Sequence, residues 1–381
     1  MEYKVISTDD HLQEAPDTWT ARMSKAKWGD NIPHVERDAD GMDNWYIYGE
    51  PRNQLGGPGT VMGAMPDRTV NAKNFDEMPK ECYVPSERLK AMQRDGVDVH
   101  TFFGNIAGIA SNTFTNPDWP ADFRLDCIKA FNDFQVEAYA QPYPGRFITL
   151  ANLPLWDVDL AVQETNRAIK MGMNGISIAF PQQWGFPHIV DHYWDPLWSV
   201  CQDNHLSVNL HIGSGSAVGA MTASVWEGHS RLRRTAEGST RAISANIQVM
   251  STMLFSGILE RFPKLMLVSS ESGLGWVPYL LEVADHQWNQ QDLKREGMTI
   301  KPSEYFHRQC YVNFWFEVMG CEMRNFIGID NIMWESDFPH PTCTYPNSQD
   351  YIQRAMKDWS PEERQKVLVD NALKVFRLNG N

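Results

Sequence analysis

The chain has 381 residues, 42% of them hydrophobic, and a net charge of −14 that is spread along the sequence. This length suits one large domain or two smaller ones, and the acidic balance argues against nucleic acid and anionic membranes, which require clustered Lys and Arg. We find no signal peptide and no apolar run near the ~20 residues of a membrane span. Six widely spaced cysteines without a Cys-x-x-Cys pair favour a reduced, cytoplasmic protein.

The first predicted strand leads directly into four polar side chains, Asp9, Asp10, His11 and Glu14. Side chains two residues apart in an extended segment point the same way, so Asp9 and His11 share one face. Taken alone, this pair fits either part of a metal site or a turn that two aspartates cap.

Residues 17–84 are rich in Gly, Pro, Asn and Asp and contain one clear strand-like run, at 44–48. A segment of this length without regular structure usually serves function or covers something. We therefore predict an insertion that caps the mouth of a single domain spanning residues 1–381.

From residue 85 onward, predicted helices and strands alternate. Helices are expected at 85–96, 121–140, 157–172, from 195, and at 240–258, 276–294, 321–327 and 360–378. Strands are expected at 97–103, 146–150, 175–180, 206–211, 265–271, 310–315 and 332–337. Such alternation indicates parallel strands with right-handed crossovers. With the opening strand this makes about eight units, which favours a closed (β/α)₈ TIM barrel with a long cap-like insertion after the first strand. No Gly-x-Gly-x-x-Gly follows that strand, which weakens a dinucleotide-binding alternative.

In such a barrel, catalytic groups collect where the strands end at the C-terminal face. The ends of the predicted strands, and the positions just beyond them, carry residues of metal-ligand type: Asp9, His11, Glu14, His211, Glu271, Asp337 and His340. Imidazole and carboxylate ligands suit Zn, Mn, Fe or Ni, and a set this large could also hold two metals. A metal bound there would lower the pKa of water toward ~7 and polarise a carbonyl or carboxylate.

Several segments resemble the amidohydrolase superfamily, within it the amidohydrolase-related branch that contains aminocarboxymuconate-semialdehyde decarboxylase. The matching segments are residues 7–14, 209–211, 271–279, 336–340 and 370–376. The resemblance implies a metal-dependent TIM barrel that acts on a small molecule by hydrolysis or non-oxidative decarboxylation. It assigns one divalent metal, Zn or Mn, to Asp9, His11, His211 and Asp337, with Asp337 as the general base of a hydrolase. It also implies a homodimer.

The chain departs from the family pattern at two positions. Asp9 replaces the first His of a His-x-His pair, as in acidic-x-His members, and Glu271 stands where the hydrolases and the decarboxylase carry a strand-six His. A Glu there, with Glu14 and His340, resembles the carboxylate-rich dinuclear Fe or Mn/Fe oxygenases of the superfamily. The alternative function is therefore an O₂-dependent hydroxylase. In either enzyme the catalytic candidates are Asp337, Glu271 and His340.

A third hypothesis is a non-catalytic metal-binding subunit that forms a hetero-oligomer with an active homologue; the intact ligand set argues against it.

Candidate substrate-binding residues follow strands four and five. His188 and His192 lie in a segment that resembles the family's substrate-facing loop, with helix-cap packing as the alternative. Arg231, in a cationic loop at 229–234, could bind a substrate carboxylate bidentately, with a solvated face as the alternative. Together with fourteen Trp residues, this loop favours a small aromatic or carboxylated substrate.

Overall fold

A computed structural model describes residues 2–52, 57–214 and 228–378 of the chain. Its centre is a parallel sheet of eight strands, hydrogen-bonded to one another in chain order. These strands are β1 (Asp10–Leu12), β5 (His100–Gly104), β6 (Phe147–Asn152), β7 (Gly175–Ser177), β8 (Ser207–His211), β9 (Met266–Ser270), β10 (Cys310–Phe314) and β11 (Ile332–Trp334). The strands are almost entirely buried, as expected when helices cover the outside of a parallel sheet.

Backbone hydrogen bonds close the sheet between its first and last strands. The Thr8 amide donates to the Trp334 carbonyl (3.0 Å), and the Asp337 amide donates to the Asp9 carbonyl (3.0 Å). The predicted TIM barrel is confirmed. The C-terminal ends of all eight strands consequently face one mouth, where loops from distant parts of the sequence meet.

The helices that surround the sheet begin and end largely where local sequence signals place them. Asp157 accepts a hydrogen bond from the Leu160 amide at the start of one helix, and Gly172 ends it in a left-handed conformation (φ 83°). The α-helices are Lys25–Trp28, Pro85–Asp95, Ala121–Phe134, Val158–Met171, Asp195–Asp203, Arg231–Ile243, Asn246–Phe255, Ile258–Arg261, Val277–Gln290, Pro302–Gln309, Met319–Glu322, Arg324–Ile327, Ser348–Ala355, Pro361–Gln365 and Asn371–Phe376.

Several helical predictions need correction, among them that of a single helix at 321–327, which is divided at Met323. The cationic segment predicted as a loop instead begins a helix, Arg231–Ile243, because the side chain of Ser230 accepts a hydrogen bond from the Arg233 amide. The single helix predicted at 240–258 is divided, with a new helix beginning at Asn246. The helix predicted at 360–378 contains a π-helical turn at Lys366–Asp370, so its two α-helical parts are offset.

The predicted insertion contains more regular structure than its composition suggests. Residues 17–84 include a three-stranded antiparallel sheet of β2 (His34–Arg37), β3 (Asp43–Ile47) and β4 (Glu50–Arg52). The prediction found β3, whose Trp45 and Ile47 are buried, but missed its two neighbours. β2 and β4 are short and largely exposed, and Pro51 lies within β4, so neither shows hydrophobic alternation. The assignment of residues 1–381 to one domain stays a prediction.

Two expectations from composition can be compared with the fold. All six cysteines are buried and free. Within the described ranges, no helix combines the length and apolar character needed to cross a membrane.

Candidate metal centre

Imidazole and carboxylate groups from four strand ends meet at the centre of the barrel mouth. The structure brings together six of the predicted residues in two overlapping groups whose ligand atoms lie within 4.8 Å of one another. One group contains Asp9, His11 and His211, and the other contains His11, Glu271, Asp337 and His340. His11 belongs to both groups, so the second residue of β1 is the centre of the cluster.

The spacing of these atoms suits ligands of a shared metal. His11 Nε2 lies 3.1 Å from His211 Nε2 and 3.4 Å from Asp337 Oδ1. Asp9 Oδ2 lies 3.5 Å from His211 Nε2, and Glu271 Oε2 lies 2.9 Å from the same nitrogen. Ligands held about 2.1 Å from one metal are separated by roughly 3.0 to 3.4 Å in octahedral or tetrahedral geometry. The cluster therefore has the dimensions of a coordination shell.

Unsatisfied polar atoms support the same interpretation. Asp9 is fully buried, and neither of its carboxylate oxygens has a hydrogen-bond partner. A buried carboxylate without partners is costly, and a bound cation removes that cost. His211 Nδ1 lies 2.8 Å from the Ile212 carbonyl, which fixes the proton on Nδ1 and leaves the Nε2 lone pair directed into the cluster. The residues present thus fit a divalent metal.

Burial and the close spacing of the carboxylates shift the pKa values of the groups in this cluster. Burial, followed by the carboxylates of Glu335 and Glu271, raises the pKa of Asp9 well above its usual range. Burial and Asp337 also raise the pKa of Glu271. Burial lowers the pKa of His11, and the neighbouring His340 and His211 lower it further, so that His11 is held neutral as a metal ligand must be.

Glu335 is a buried carboxylate of this centre that the sequence interpretation missed. Its Oε2 accepts a hydrogen bond from the Glu271 amide (3.1 Å), whereas its Oε1 has no partner. Burial, then Glu271 and Asp337, raise its pKa well above the usual range. Its position two residues before Asp337 was the available signal, because alternate residues of a strand share a face.

Backbone geometry and one hydroxyl group orient the two carboxylates that follow β9 and β11. Glu271 (φ 52°) and Asp337 (φ 60°) both have left-handed backbone conformations, which non-glycine residues rarely adopt. Such conformations concentrate at functional sites, where surrounding structure maintains them. The hydroxyl of Thr342 donates to Asp337 Oδ2. The direction of Asp337 is therefore fixed from both its main chain and its side chain.

A cavity of about 280 Å³ lies above the cluster and connects it with the insertion. It is lined by His11, Arg52, Thr60, Gly104, Asn105, Gly108, Ile109, Asn112, Thr113, His211, Ile212, Gly213, Glu271 and His340. Arg52, at the end of β4, is its cationic side chain among the described residues. Arg52 Nε is buried without a hydrogen-bond partner, and burial lowers the pKa of the guanidinium. This pocket has the composition of a site for a small anion.

Glu14, predicted as a metal ligand, lies outside both groups of ligand atoms in the described structure. It is fully buried, and its two oxygens accept hydrogen bonds from the amides of Asn105, Ile106 and Ala107 at 2.9–3.2 Å. Burial raises its pKa to about 7. The structure thus gives this carboxylate three protein donors, in contrast to Asp9.

Of the three predicted substrate-binding residues, neither His188 nor His192 lines the cavity in the described structure. His188 is exposed, and its Nε2 lies 3.1 Å from the Gln182 side-chain nitrogen. His192 is also exposed, with Nδ1 2.6 Å from Asp195 Oδ2 at the start of a helix. The side chain of Arg231 lies outside the described residues.

The barrel, its strand-end ligands and the cavity above them define a TIM-barrel protein with a metal-type centre at its mouth. A family model described as Amidohydrolase matches residues 31–378, and the chain therefore belongs to the amidohydrolase family.

Three proteins illustrate the likeness. A 2-amino-3-carboxymuconate-6-semialdehyde decarboxylase of Dictyostelium discoideum is 23% identical over 323 residues, covering 82% of this chain and 82% of the relative. A gamma-resorcylate decarboxylase of Polaromonas sp. strain JS666 is 26% identical over 312 residues, covering 78% and 88%. A solved structure of a dihydroxybenzoic acid decarboxylase from Polaromonas sp. JS666, with bound manganese and the inhibitor 2-nitroresorcinol, superimposes with a TM-score of 0.64. It is 18% identical and the match covers 100% of this chain and 98% of that one.

Proposed function

We propose that the protein is a metal-dependent carboxy-lyase that removes CO₂ from a small aromatic or conjugated carboxylic acid without an external oxidant. The observation that carries the proposal is the position of Arg52, whose Nε is buried without a partner, in the wall of the cavity that the ligand-type residues His11, His211, Glu271 and His340 also line. The decarboxylases named above, which match most of the chain, support the same reaction class.

Asp9, His11, His211 and Asp337 would hold the metal, and Mn is the first candidate because the related solved structure contains it. When bound, a divalent metal supplies positive charge that polarises a substrate carboxylate and a neighbouring oxygen. Glu271 Oε2 lies 2.9 Å from His211 Nε2, and Glu271 lines the cavity above the cluster.

Arg52 would orient the substrate. Its guanidinium is the group in the cavity that can form paired, charge-assisted hydrogen bonds to an acidic or phenolic oxygen. The unpartnered Nε supplies one such donor. Because the cavity is about 280 Å³, it accommodates a molecule of about one ring with its substituents.

His340 and Asp337 would supply the proton that replaces CO₂. His340 lines the cavity, and its Nδ1 lies 3.3 Å from Asp337 Oδ1. Burial lowers the pKa of His340, but the carboxylates of Asp337 and Glu271 raise it, and the pKa is raised overall. As the bond to the carboxyl carbon breaks and CO₂ leaves, the electron pair remains on the substrate carbon. That carbon takes a proton from the His340–Asp337 pair, and the product has hydrogen where the carboxyl group was.

The experiment is a CO₂-release assay on protein purified without chelator and loaded with Mn. The test acids are 2,6-dihydroxybenzoate and salicylate, with benzoate as the control that lacks a neighbouring oxygen. We expect CO₂ and the decarboxylated product in equal amounts, under nitrogen as well as air, from at least one hydroxy acid and not from benzoate.

Asp337→Asn is the test variant because it keeps the size of the side chain and removes the negative charge that both the metal and the imidazole of His340 would contact. We expect its turnover to fall by roughly 10²- to 10⁴-fold. Absence of CO₂ from every conjugated acid tested, or hydrolysis of an amide or ester analogue by the same preparation, would refute the proposal.

The second function predicted from the sequence is an O₂-dependent hydroxylase with two metals, which the decarboxylases named above do not support. The two overlapping groups contain more ligands than one metal requires, and Glu271 and His340 both belong to the second group. Glu14, the further carboxylate that this function would use, instead accepts backbone hydrogen bonds.

Metal analysis and oxygen uptake separate the two functions. For the carboxy-lyase we expect one metal per chain, no oxygen consumption, and retention of that metal in Glu271→Ala with altered turnover. Two metals including Fe in the wild type, the loss of one of them in Glu271→Ala, and consumption of O₂ would establish the hydroxylase instead.

A further inference from the structure

The carboxylate of Glu14 is bound by a run of consecutive backbone amides. The parallel register of β1 and β5 pairs Leu12 with Gly104, so the chain beyond β1 runs beside the loop beyond β5. Glu14 Oε1 accepts from the amides of Asn105 (3.2 Å) and Ala107 (2.9 Å), and Oε2 accepts from Ile106 (2.9 Å). Successive amides that converge on one carboxylate form an anion-binding nest. Here the anion belongs to the protein itself.

The adjacent side chain, Gln13, connects the same loop to the insertion. Its Oε1 accepts from the Asn105 side-chain amide (3.0 Å), and its Nε2 donates to the Pro58 carbonyl (2.8 Å). The insertion approaches so closely that a Cβ atom at Gly59 would lie 1.5 Å from Gln13 Oε1. A side chain at position 59 would displace the amide group of Gln13, so the contact between the two segments is direct.

The loop held by Glu14 does not have a self-supporting conformation. Gly108 (φ 79°), Ala110 (φ 55°) and Ser111 (φ 65°) are all left-handed, and two of them are not glycine. Such residues persist only where other contacts determine the backbone. Within the loop, the Thr113 hydroxyl donates a hydrogen bond to the Ile106 carbonyl (2.6 Å). This contact connects the end of the loop with the segment whose amides bind Glu14.

Both segments that Gln13 and Glu14 hold are walls of the cavity above the metal-type centre. The loop contributes Asn105, Gly108, Ile109, Asn112 and Thr113, and the insertion contributes Arg52 and Thr60. The same short stretch of chain carries His11, three residues before Glu14. The position of the walls is therefore tied to the position of the central ligand.

We propose that Glu14 is a positioning residue which, with Gln13, fixes the loop at 104–113 and the insertion as the two walls of the substrate pocket, and does not ligate metal. The proposal rests on the proposed function in one respect, namely that this cavity is where the acid binds. Glu14 thereby determines the shape of the substrate pocket. The affinity for the metal depends instead on Asp9, His11, His211 and Asp337.

The test is Glu14→Gln in the Mn-loaded protein. The substitution keeps the shape but places an amide nitrogen against backbone N–H donors, so at least one hydrogen bond to a charged group is lost. We expect unchanged metal content per chain, a KM for the hydroxy acid raised roughly tenfold or more, and kcat within about threefold of wild type. We also expect faster hydrogen exchange at the amides of Asn105, Ile106 and Ala107.

Glu317→Gln is the matched control. Glu317, just beyond β10, is half-buried with a fully buried Oε2, and its Oε1 accepts a hydrogen bond from the Leu274 amide (2.6 Å). Burial raises its pKa. It does not line the cavity above the centre. We expect this variant to leave KM and exchange at 105–107 unchanged, which excludes a general effect of removing a buried charge.

Hydrogen exchange of the wild-type protein keeps the proposal testable if Glu14→Gln fails to fold. The amides of Ile106 and Ala107 belong to no strand, yet we expect them to exchange as slowly as sheet amides, because Glu14 accepts their hydrogen bonds. Exchange at the rate of an exposed loop would overturn the proposal.

Three further outcomes of the variant would overturn it: loss of metal, an unchanged KM, or unchanged exchange at 105–107. If the wild-type protein releases no CO₂, the proposed function fails by itself. Metal content and amide exchange of Glu14→Gln would then still decide whether Glu14 is a ligand or a positioning residue.

Discussion

Two buried carboxylates of the same short segment, Asp9 and Glu14, show opposite environments. Both are completely excluded from solvent. Neither oxygen of Asp9 has a hydrogen-bond partner, and other carboxylates surround it. Both oxygens of Glu14 are occupied by three backbone amides. Both side chains are buried carboxylates, but only Glu14 has protein hydrogen-bond donors for its charge.

This difference separates a candidate ligand from a structural anion. An isolated buried charge is expensive, so a protein that retains one without protein partners reserves it for a bound ion or substrate. A carboxylate that accepts several backbone amides is already compensated. If Glu14 is the positioning residue that we propose, a count of the acidic residues near the barrel mouth overestimates the number of metal ligands.

Of the changes proposed, removal of the metal should have the largest effect on activity and stability. Burial and mutual repulsion raise the pKa values of Asp9, Glu271 and Glu335, so the folded metal-free protein keeps protons that the unfolded chain releases above about pH 4. Its stability consequently falls as pH rises toward these raised pKa values, whereas metal affinity rises. We expect a chelator to abolish activity and to lower Tm by about 5 °C or more, with a larger decrease at pH 8 than at pH 6. Equal decreases at the two pH values in thermal melts would contradict this electrostatic account.

Asp9→Asn tests the unpartnered member of the pair. The amide keeps the volume and removes the charge, so we expect metal affinity to fall by roughly 100-fold or more, with a comparable loss of turnover at limiting metal. The measurements are metal content after gel filtration and activity as a function of added Mn. Full metal retention in Asp9→Asn would show that unpartnered burial does not identify a ligand here.

Arg52→Gln tests the role of the cationic side chain that lines the cavity. Removing the charge that faces the cavity should raise KM by about 10- to 100-fold and leave metal content unchanged, because Arg52 belongs to the cavity wall and not to the cluster. Steady-state kinetics with Mn-saturated protein measure this change. Arg52→Lys is the companion variant, and partial recovery of KM is expected from its single charge. A KM equal to that of the wild type in both variants would remove Arg52 from the substrate site.

Thr342→Val should have the smallest effect. It replaces the hydroxyl that donates to Asp337 Oδ2 with a methyl group of similar size. Loss of a hydrogen bond that orients a ligand should weaken metal binding by about tenfold. Titration of the metal-free variant with Mn, followed by activity, gives the affinity. No change in affinity would mean that the backbone conformation of Asp337 alone fixes its direction.

Much of the candidate site could be predicted because its residues follow strands in a regular order. Once alternation predicts a parallel barrel, every strand end lies at one mouth, and His211 and Asp337 must approach His11 despite their separation in sequence. Arg52 could not be found in this way, because β4 is short, contains Pro51 and belongs to a separate sheet. Glu335 was accessible to the same strand argument and was overlooked.

The barrel fold and the strand ends that carry imidazole and carboxylate groups follow from the sequence alone, because both depend on local periodicity and chain order. Which buried carboxylates have hydrogen-bond donors for their charge is known only from the tertiary structure. The amides that bind Glu14 lie more than ninety residues away, and Glu335, which repels Asp9, lies at the opposite end of the chain. Compensation of a buried charge is a property of its three-dimensional neighbours, so Asp9 and Glu14 are equivalent in the sequence and different in the fold.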